Sequence, residues 1–320
     1  MTNSLLKINN LNTKIFHKDR IVNAANDIDL ELNEKEILCI IGESGCGKTI
    51  SMLSLANLLP DNAKVIQGRI EFEGNIIDIH NETTLENIRG SKISYVFQDA
   101  TSYLNPIFTI GEQIEEVLIF HNKLTKQKAK DKTLSTLELV NLKPALHYFN
   151  YYPHQLSGGM NQRAMIAMSI ASNPKLLIAD EPTSSLDRIT EIKILNLLKD
   201  LRDTLNLSII LITHNISVVE SFADKVAIMY AGRIVEVGRS QEVLNNPKHP
   251  YTIGLLECIP KQDTKEKFLK TIKGSVPDLA NLPEGCKFNP RCPFVMDICK
   301  KKEPNFRKVS NNQSAKCYLL

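Results

Sequence analysis

The fold is decided by the stretch Gly42-Glu43-Ser44-Gly45-Cys46-Gly47-Lys48-Thr49, which matches the pattern G-x-x-x-x-G-K-[ST]. It follows a short apolar run at 36–41 and precedes a segment, 50–59, that we predict to be a helix ending before a proline. Glycines let successive backbone N–H groups point at phosphate oxygens, Lys48 adds a positive charge, and the Thr49 hydroxyl can ligate Mg²⁺. We therefore predict a nucleotide-phosphate site over all eight residues. The alternative is a plain glycine turn.

Further apolar runs predict the rest of the sheet. Residues 92–97, 175–179, 208–213 and 225–229 have the composition of buried strands and are separated by helical segments. This alternation predicts an α/β fold with a mostly parallel sheet and helices on both faces. Residues 110–150 differ, because they are mostly polar and helical, and we predict a helical insertion there.

Polar residues follow two of these runs. Asp180 and Glu181 come directly after 175–179, and His214 comes directly after 208–213. Strand ends in open α/β sheets deliver side chains to the ligand crevice, so Asp180 can hold Mg²⁺ and Glu181 can orient or deprotonate water. A solvated strand end is the alternative for the acids, and a structural role is the alternative for His214.

The combination of motifs resembles the ATP-binding-cassette (ABC) ATPases. Ser157-Gly158-Gly159 is similar to the family's signature, Gln98 to its Q-loop residue, Asp187 to its D-loop residue and His214 to its switch histidine. The resemblance covers roughly residues 4–255. It implies a P-loop NTPase core with an antiparallel β-subdomain and a helical subdomain at about 99–160. Ser157 is also a good cap for a predicted helix at 161–172, which would make a second anion-binding helix terminus.

The resemblance also implies roles for individual residues. ATP would lie between the phosphate loop of one subunit and Ser157, Gly158, Gly159 and Asp187 of another. Mg²⁺ would be bound by Thr49, Gln98 and Asp180. Catalysis would depend on Lys48, Gln98, Glu181 and His214. Phe16 is the candidate for stacking on adenine, with a buried core position as the alternative.

Longer matches resemble one branch of the family, the oligopeptide/dipeptide (and nickel) importers. They lie at 97–106, at 152–163 and at 249–256. We predict an ATPase domain at 1–255 and an extension at 256–320. The extension holds Cys286, Cys292, Cys299 and Cys317, and four clustered thiols favour a metal over disulfides. Members of this branch can carry a [4Fe–4S] cluster there, which makes the cluster our expectation. Zinc and unligated thiols remain the alternatives.

Composition sets the context. The 320 residues carry a net charge of only +3, too small to indicate nucleic acid by itself. The sequence shows no signal peptide and no apolar run of membrane-spanning length. We expect a cytosolic ATP hydrolase at the inner face of the membrane, working with a second ATPase, two permease subunits and an external binding protein.

The rival functions are nickel import, a soluble ABC protein acting on nucleic acid, and a small-molecule kinase. The basic extension could touch anionic lipid or be a solvated face.

Overall fold

The computed structural model describes residues 3–258 and 271–320. The described residues of 1–77 and 212–320 form one compact unit, and residues 78–211 form a second. In the described ranges the strands are β1 (Ser4–Phe16), β2 (Ile21–Asn33), β3 (Ile37–Ile41), β4 (Ala63–Phe72), β5 (Asn75–Ile76), β6 (Ile93–Val96), β7 (Leu176–Asp180), β8 (Ser208–Thr213), β9 (Lys225–Tyr230), β10 (Arg233–Arg239), β11 (Arg307–Lys308) and β12 (Gln313–Ala315). The helices there are α1 (Lys48–Leu53), α2 (Glu82–Glu86), α3 (Ala100–Tyr103), α4 (Ile110–Asn122), α5 (Lys126–Leu139), α6 (Ala145–Phe149), α7 (Gly158–Ile170), α8 (Arg188–Leu205), α9 (Ser217–Phe222), α10 (Ser240–Asn245), α11 (Pro250–Glu257) and α12 (Asp297–Lys301).

The first unit contains an antiparallel sheet in the order β2-β1-β4-β5. The long strands β1 and β2 form a hairpin that runs from the pair Phe16 and Ile21 to the pair Ser4 and Asn33. This sheet confirms the β-subdomain that the family resemblance implies.

The same unit carries a second set of strands in the order β11-β12-β10-β9-β3. β3 and β9 are parallel, and all five residues of β3 are buried. β9 and β10 form a tight hairpin, in which Ala231 and Gly232 both have positive φ, as a two-residue type I′ turn requires. β10 then pairs with β12, so residues 313–315 of the predicted extension belong to this set of strands.

The second unit places β6 beside β7 in parallel, with Ile93 opposite Leu176. Every residue of β7 is buried, as expected for a strand covered on both faces. α4 begins with a capping box between Thr109 and Glu112, and α5 and α6 follow it, which confirms the helical insertion. β8 is also fully buried, and its last two residues belong to the first unit.

The first helix is shorter than the sequence predicts. The helix predicted at 50–59 is too long, because α1 ends at Leu53 and a short 3₁₀ turn leads to Asn57 in the left-handed region at φ 49°. The limit between domains at 255 stays a prediction, and residues 259–270 of the extension lie outside the described residues.

Within the described ranges, no helix combines the length and apolar character that crossing a bilayer requires.

Candidate functional site

The phosphate loop joins β3 to α1 in the first unit. Two of its glycines are required by close backbone approach. A Cβ on Gly42 would lie 2.2 Å from the carbonyl oxygen of Met229, and one on Gly47 would lie 1.9 Å from that of Ala24. Gly47 also has φ 101°, which side chains rarely tolerate. The loop can therefore take this shape only with glycine at both positions.

The Lys48 side chain folds back onto the loop that precedes it. Its ammonium donates hydrogen bonds to the carbonyl oxygens of Gly42, at 2.8 Å, and Glu43, at 3.0 Å. The residue is only 6 % exposed. The loop thus holds one buried positive charge at its centre, which suits a phosphate group.

Cys46 is a buried part of the same loop. Its burial raises the pKa of the thiol, and Lys48 lowers it by a smaller amount. The side chain is therefore protonated at neutral pH, which favours a small packing residue over a reactive thiolate.

A cleft in the first unit brings His214 to the phosphate loop. Gly42, Glu43 and Ser44 line one part of this cleft, and His214 lines another. The backbone after His214 is held by a hydrogen bond from the Asn215 N–H to the Thr213 hydroxyl, at 3.0 Å. His214 and the phosphate loop thus line the same cleft, and the role of His214 in catalysis stays a prediction.

The acidic pair lies in the second unit at the end of β7. Asp180 is buried as the last residue of the strand, and Glu181 follows with φ 44°. A glutamate in the left-handed region is strained, and such strain is often concentrated at functional sites. Because Val96 pairs with Ala179 in parallel register, Gln98 leaves the same edge of the sheet as the acidic pair. This edge could hold Mg²⁺ between oxygen ligands.

The signature residues begin α7. The Ser157 hydroxyl caps the helix by accepting a hydrogen bond from the Met160 N–H at 3.4 Å. A Cβ on Gly159 would lie 2.7 Å from the Thr190 side chain at the start of α8. Glycine therefore lets the starts of these two helices approach each other closely.

Asp187 has a local role that the sequence interpretation did not include. Its carboxylate accepts hydrogen bonds from the N–H groups of Ile189 and Thr190, both at 3.0 Å, and from the Thr190 hydroxyl at 2.6 Å. Hydrogen bonding from Thr190 lowers the pKa of this carboxyl. Asp187 is thus the N-cap of α8, and its contact with a nucleotide stays a prediction.

Phe16 is the last residue of β1 and is 38 % exposed. That exposure makes the core alternative wrong. Its stacking on adenine stays a prediction.

The four cysteines of the extension line one small cavity in the first unit, together with Phe288 and Tyr318. Burial, with smaller contributions from the neighbouring thiols, raises the pKa of Cys286 to about 11. Among residues 3–258 and 271–320, no three histidine, cysteine or acidic side chains are placed to hold a metal ion. The two cations next to these cysteines in the sequence, Lys287 and Arg291, pair with Glu303 and Glu43.

Comparison with known proteins decides the family. Residues 25–184 match the sequence model of the family described as ABC transporter, and residues 235–299 match that of the oligopeptide/dipeptide transporter C-terminal region. The chain belongs to the ABC transporter ATPase family. It is an ABC-type ATP hydrolase, in which turnover of ATP is coupled to transport.

Relatives and solved structures agree with this assignment. The chain is 42 % identical to the oligopeptide transport ATP-binding protein AppD of Bacillus subtilis, over 99 % of this chain and 97 % of that protein. It is also 42 % identical to OppD of Haemophilus influenzae, over 99 % and 98 %. A dimeric ATP-binding cassette bound to ADP and phosphate superposes with TM-score 0.66 at 28 % identity, over 74 % of this chain and 99 % of the other. The cbiO1 subunit of Clostridium perfringens superposes with TM-score 0.67 at 27 % identity, over 79 % and 95 %.

The ABC ATPase site has further members that sequence reasoning missed. The Tyr251 hydroxyl accepts a hydrogen bond from the Glu43 N–H at 3.1 Å, and Arg291 pairs with the Glu43 carboxylate. These partners are separated from Glu43 by 208 and 248 positions, so no local pattern could have indicated them.

Proposed function

We propose that this ABC ATPase powers the import of oligopeptides or dipeptides across the cell membrane, acting from its cytoplasmic face. The observation that carries the proposal is the match of residues 235–299 to the oligopeptide/dipeptide transporter C-terminal region, on a chain whose phosphate loop is intact. The relatives reported above are named for oligopeptide transport, which favours peptides over nickel.

We infer the following roles at the nucleotide. Lys48 binds the β- and γ-phosphates, and Thr49 and Asp180 hold Mg²⁺ directly or through water, with Gln98 next to it. Glu181 orients or deprotonates the attacking water. The buried, cationic loop supports the first role, and the placement of Glu181 at a strand end supports the last.

His214 and Phe16 complete the set on the first unit. His214 faces the cleft beside Gly42 to Ser44, where an imidazole N–H could donate a hydrogen bond to the γ-phosphate. Phe16 offers a partly exposed flat face, which is all that stacking on adenine needs.

We further propose that two ATPase subunits meet head to tail. Ser157, Gly158 and Gly159 of one subunit would approach the γ-phosphate held by the other, and Asp187 would lie beside them. The support is the exposed start of the 13-residue helix α7, since the N-terminus of a helix favours an anion. ATP would then stabilise the closed pair, and hydrolysis would release it.

The complete transporter would contain two permease subunits, an external binding protein and a second, related ATPase chain. The support is that the relatives reported above are named as ATP-binding proteins of oligopeptide transport. If transporters purified through a tag on this chain contained two copies of it and no second ATPase, the heterodimer would be wrong.

We propose a [4Fe–4S] cluster for the four-cysteine cavity. Such a cluster takes one thiolate per iron, so its ligands stand around the cluster and not around one ion. Four thiols around one cavity support this arrangement. We expect about four irons and four sulfides per chain after anaerobic purification. A colourless protein with neither would overturn the cluster.

The catalytic proposal is tested by Glu181→Gln. We expect ATP binding to stay within about twofold of the wild type while turnover falls about 100-fold or more, because the base that positions water is lost. Binding is measured with a fluorescent ATP analogue, and turnover by phosphate release. Turnover at the wild-type rate would contradict the assignment.

The substrate is tested in a strain that lacks this gene. The wild-type gene should restore uptake of a labelled oligopeptide, whereas the Glu181→Gln gene should not. Radiolabelled nickel uptake should be the same in all three strains. Restoration of nickel uptake without peptide uptake would replace the peptide proposal by its rival.

A further inference from the structure

Arg291 of the extension is buried against the phosphate loop within the first unit. Its side chain is 5 % exposed. Its guanidinium forms a two-pronged ion pair with the Glu43 carboxylate, at 2.9 and 3.3 Å. The same group donates to the Lys273 carbonyl at 3.0 Å and lies over the rings of Tyr230 and Phe288. A rigid set of partners therefore fixes this cation.

Glu43 is fixed at three points. Its N–H donates to Tyr251, its carbonyl accepts from Lys48 and its carboxylate accepts from Arg291. Two of these three partners lie outside the loop. The first variable position of the phosphate loop is thus positioned by residues that follow β10 in the chain.

The aromatic residues around Arg291 form one packed group. The ring centroids of Tyr230 and Tyr251 are 4.6 Å apart, and those of Tyr230 and Phe288 are 5.2 Å apart. Burial would lower the pKa of the Arg291 guanidinium, but hydrogen bonds to Glu43 and Tyr230 raise it on balance. Arg291 therefore stays charged at neutral pH.

The ion pair matters because of the sign of the Glu43 charge. A bare carboxylate in a phosphate loop would repel a triphosphate. Since the Glu43 carbonyl lies 3.0 Å from the Lys48 ammonium, bond lengths place the carboxylate within about 10 Å of that ammonium. That separation is comparable with the screening length at physiological salt, so the repulsion would be felt. Arg291 cancels it with a charge that solvent barely reaches.

We propose that Arg291 is a positioning residue of the nucleotide site: it holds Glu43 in place and neutralises its charge, so that the phosphate loop accepts a triphosphate. The extension thereby contributes directly to ATP affinity. This inference rests on the proposed binding of ATP phosphates by the loop.

The test is nucleotide binding to the full-length chain, measured with fluorescent analogues of ATP and ADP. In Arg291→Ala, the Kd for ATP should rise about five- to tenfold at low salt, and the Kd for ADP should rise less because ADP carries less charge. Raising the salt concentration should shrink the difference from the wild type.

A second substitution distinguishes the effect of the Arg291 charge on ATP affinity from the effect of its packing. In Arg291→Ala combined with Glu43→Gln, ATP affinity should return to within about twofold of the wild type, because the unpaired carboxylate is gone. A packing role would not be rescued, since the space left by Arg291 remains. Failure of this rescue, or wild-type ATP affinity in Arg291→Ala, would overturn the inference.

Matched controls keep the result interpretable. Arg20→Ala removes another arginine that pairs with the extension, through the exposed Asp278, and it should leave ATP affinity unchanged. If Arg291→Ala does not fold, Arg291→Gln removes the same charge with a smaller loss of volume, and wild-type ATP affinity in that variant overturns the inference. Lys48→Ala tests the loop itself. If Lys48→Ala binds ATP like the wild type, the proposed phosphate site is wrong. If Lys48→Ala loses ATP binding but Arg291→Ala keeps wild-type affinity, only the role of Arg291 is wrong.

Discussion

The phosphate loop and the turn at Asp187 both lead into a helix, but the first turns of these helices are capped differently. The N-cap of α1 is Gly47, and no side chain caps this helix. The N-cap of α8 is Asp187, whose carboxylate accepts from two backbone N–H groups at 3.0 Å. α7 is intermediate, because the Ser157 hydroxyl reaches one N–H at 3.4 Å. A helix start that is already bonded to a carboxylate has less to offer a phosphate, so the start of α1 suits a phosphate best and the start of α8 suits it least.

The largest effect should come from Gly47→Ala. The new Cβ would meet the Ala24 carbonyl at 1.9 Å, and the backbone at φ 101° disfavours any side chain. We expect ATP affinity to fall more than about 100-fold, or about 2.7 kcal/mol, measured with a fluorescent ATP analogue.

Gly74→Ala is the matched control for that substitution. Gly74 has φ 74° in the turn between β4 and β5, and a Cβ there would meet nothing within 4 Å. It shares the backbone penalty without the clash and should leave ATP affinity unchanged. Equal losses in the two variants would show that backbone strain, and not the shape of the loop, explains the result.

A smaller effect is expected at the contrasting helix start. Asp187→Ala removes the cap of α8 and should lower the Tm by a few degrees, measured by circular dichroism. Asp187→Asn should keep the cap at pH 7, since asparagine caps equally well. Wild-type stability in Asp187→Ala would contradict the capping role.

The same pair of variants has a pH signature. Hydrogen bonding from Thr190 lowers the folded-state pKa of Asp187. Its stabilising contribution is therefore present above the unfolded-state pKa, near 3.9, and is lost as the pH falls through the lower folded-state value. We expect the Tm of Asp187→Asn to fall less steeply than that of the wild type on acidification below about pH 4.

The smallest effect is expected at Cys46. Because burial keeps its thiol protonated, Cys46→Ala should change ATP affinity by less than about twofold, and iodoacetamide should modify Cys46 slowly at pH 7. Rapid loss of binding on peroxide treatment of the wild type, prevented by Cys46→Ala, would instead identify a redox switch.

Short buried strands were the easiest part of the fold to predict. β3, β7 and β8 are apolar on both faces, so each is a continuous run in the sequence. β1 and β2 were predicted only through the family resemblance, because neither shows a continuous apolar run. β1 mixes asparagine and lysine with apolar residues, β2 mixes asparagine and acidic residues with them, and their pairing has an irregular register. The end of α1 was missed because one left-handed asparagine, Asn57, redirects the chain.

The candidate site also contains residues that a local sequence pattern indicates and residues that no local pattern indicates. Asp180 and Glu181 were proposed from their place at a strand end, Lys48 from the glycine-rich pattern around it and Gln98 from the family resemblance, and the roles of all four stay predictions. The cap at Asp187 has a local signal, an acid three residues before Thr190, which could have been recognised. The pairing of Glu43 with Arg291 has none, since 248 positions separate the two residues and only the folded sheet brings them together.

The pairing of β12 with β10 has a consequence for synthesis of the chain. β10 is translated about 75 residues before the strand that completes its edge, counted from Arg239 to Gln313. Until β12 has been synthesised, the nascent protein presents the unpaired edge of β10 to neighbouring chains on the polysome. A ribosome that stalls between these two strands therefore leaves a product that is prone to aggregate, even though the phosphate loop has long since emerged.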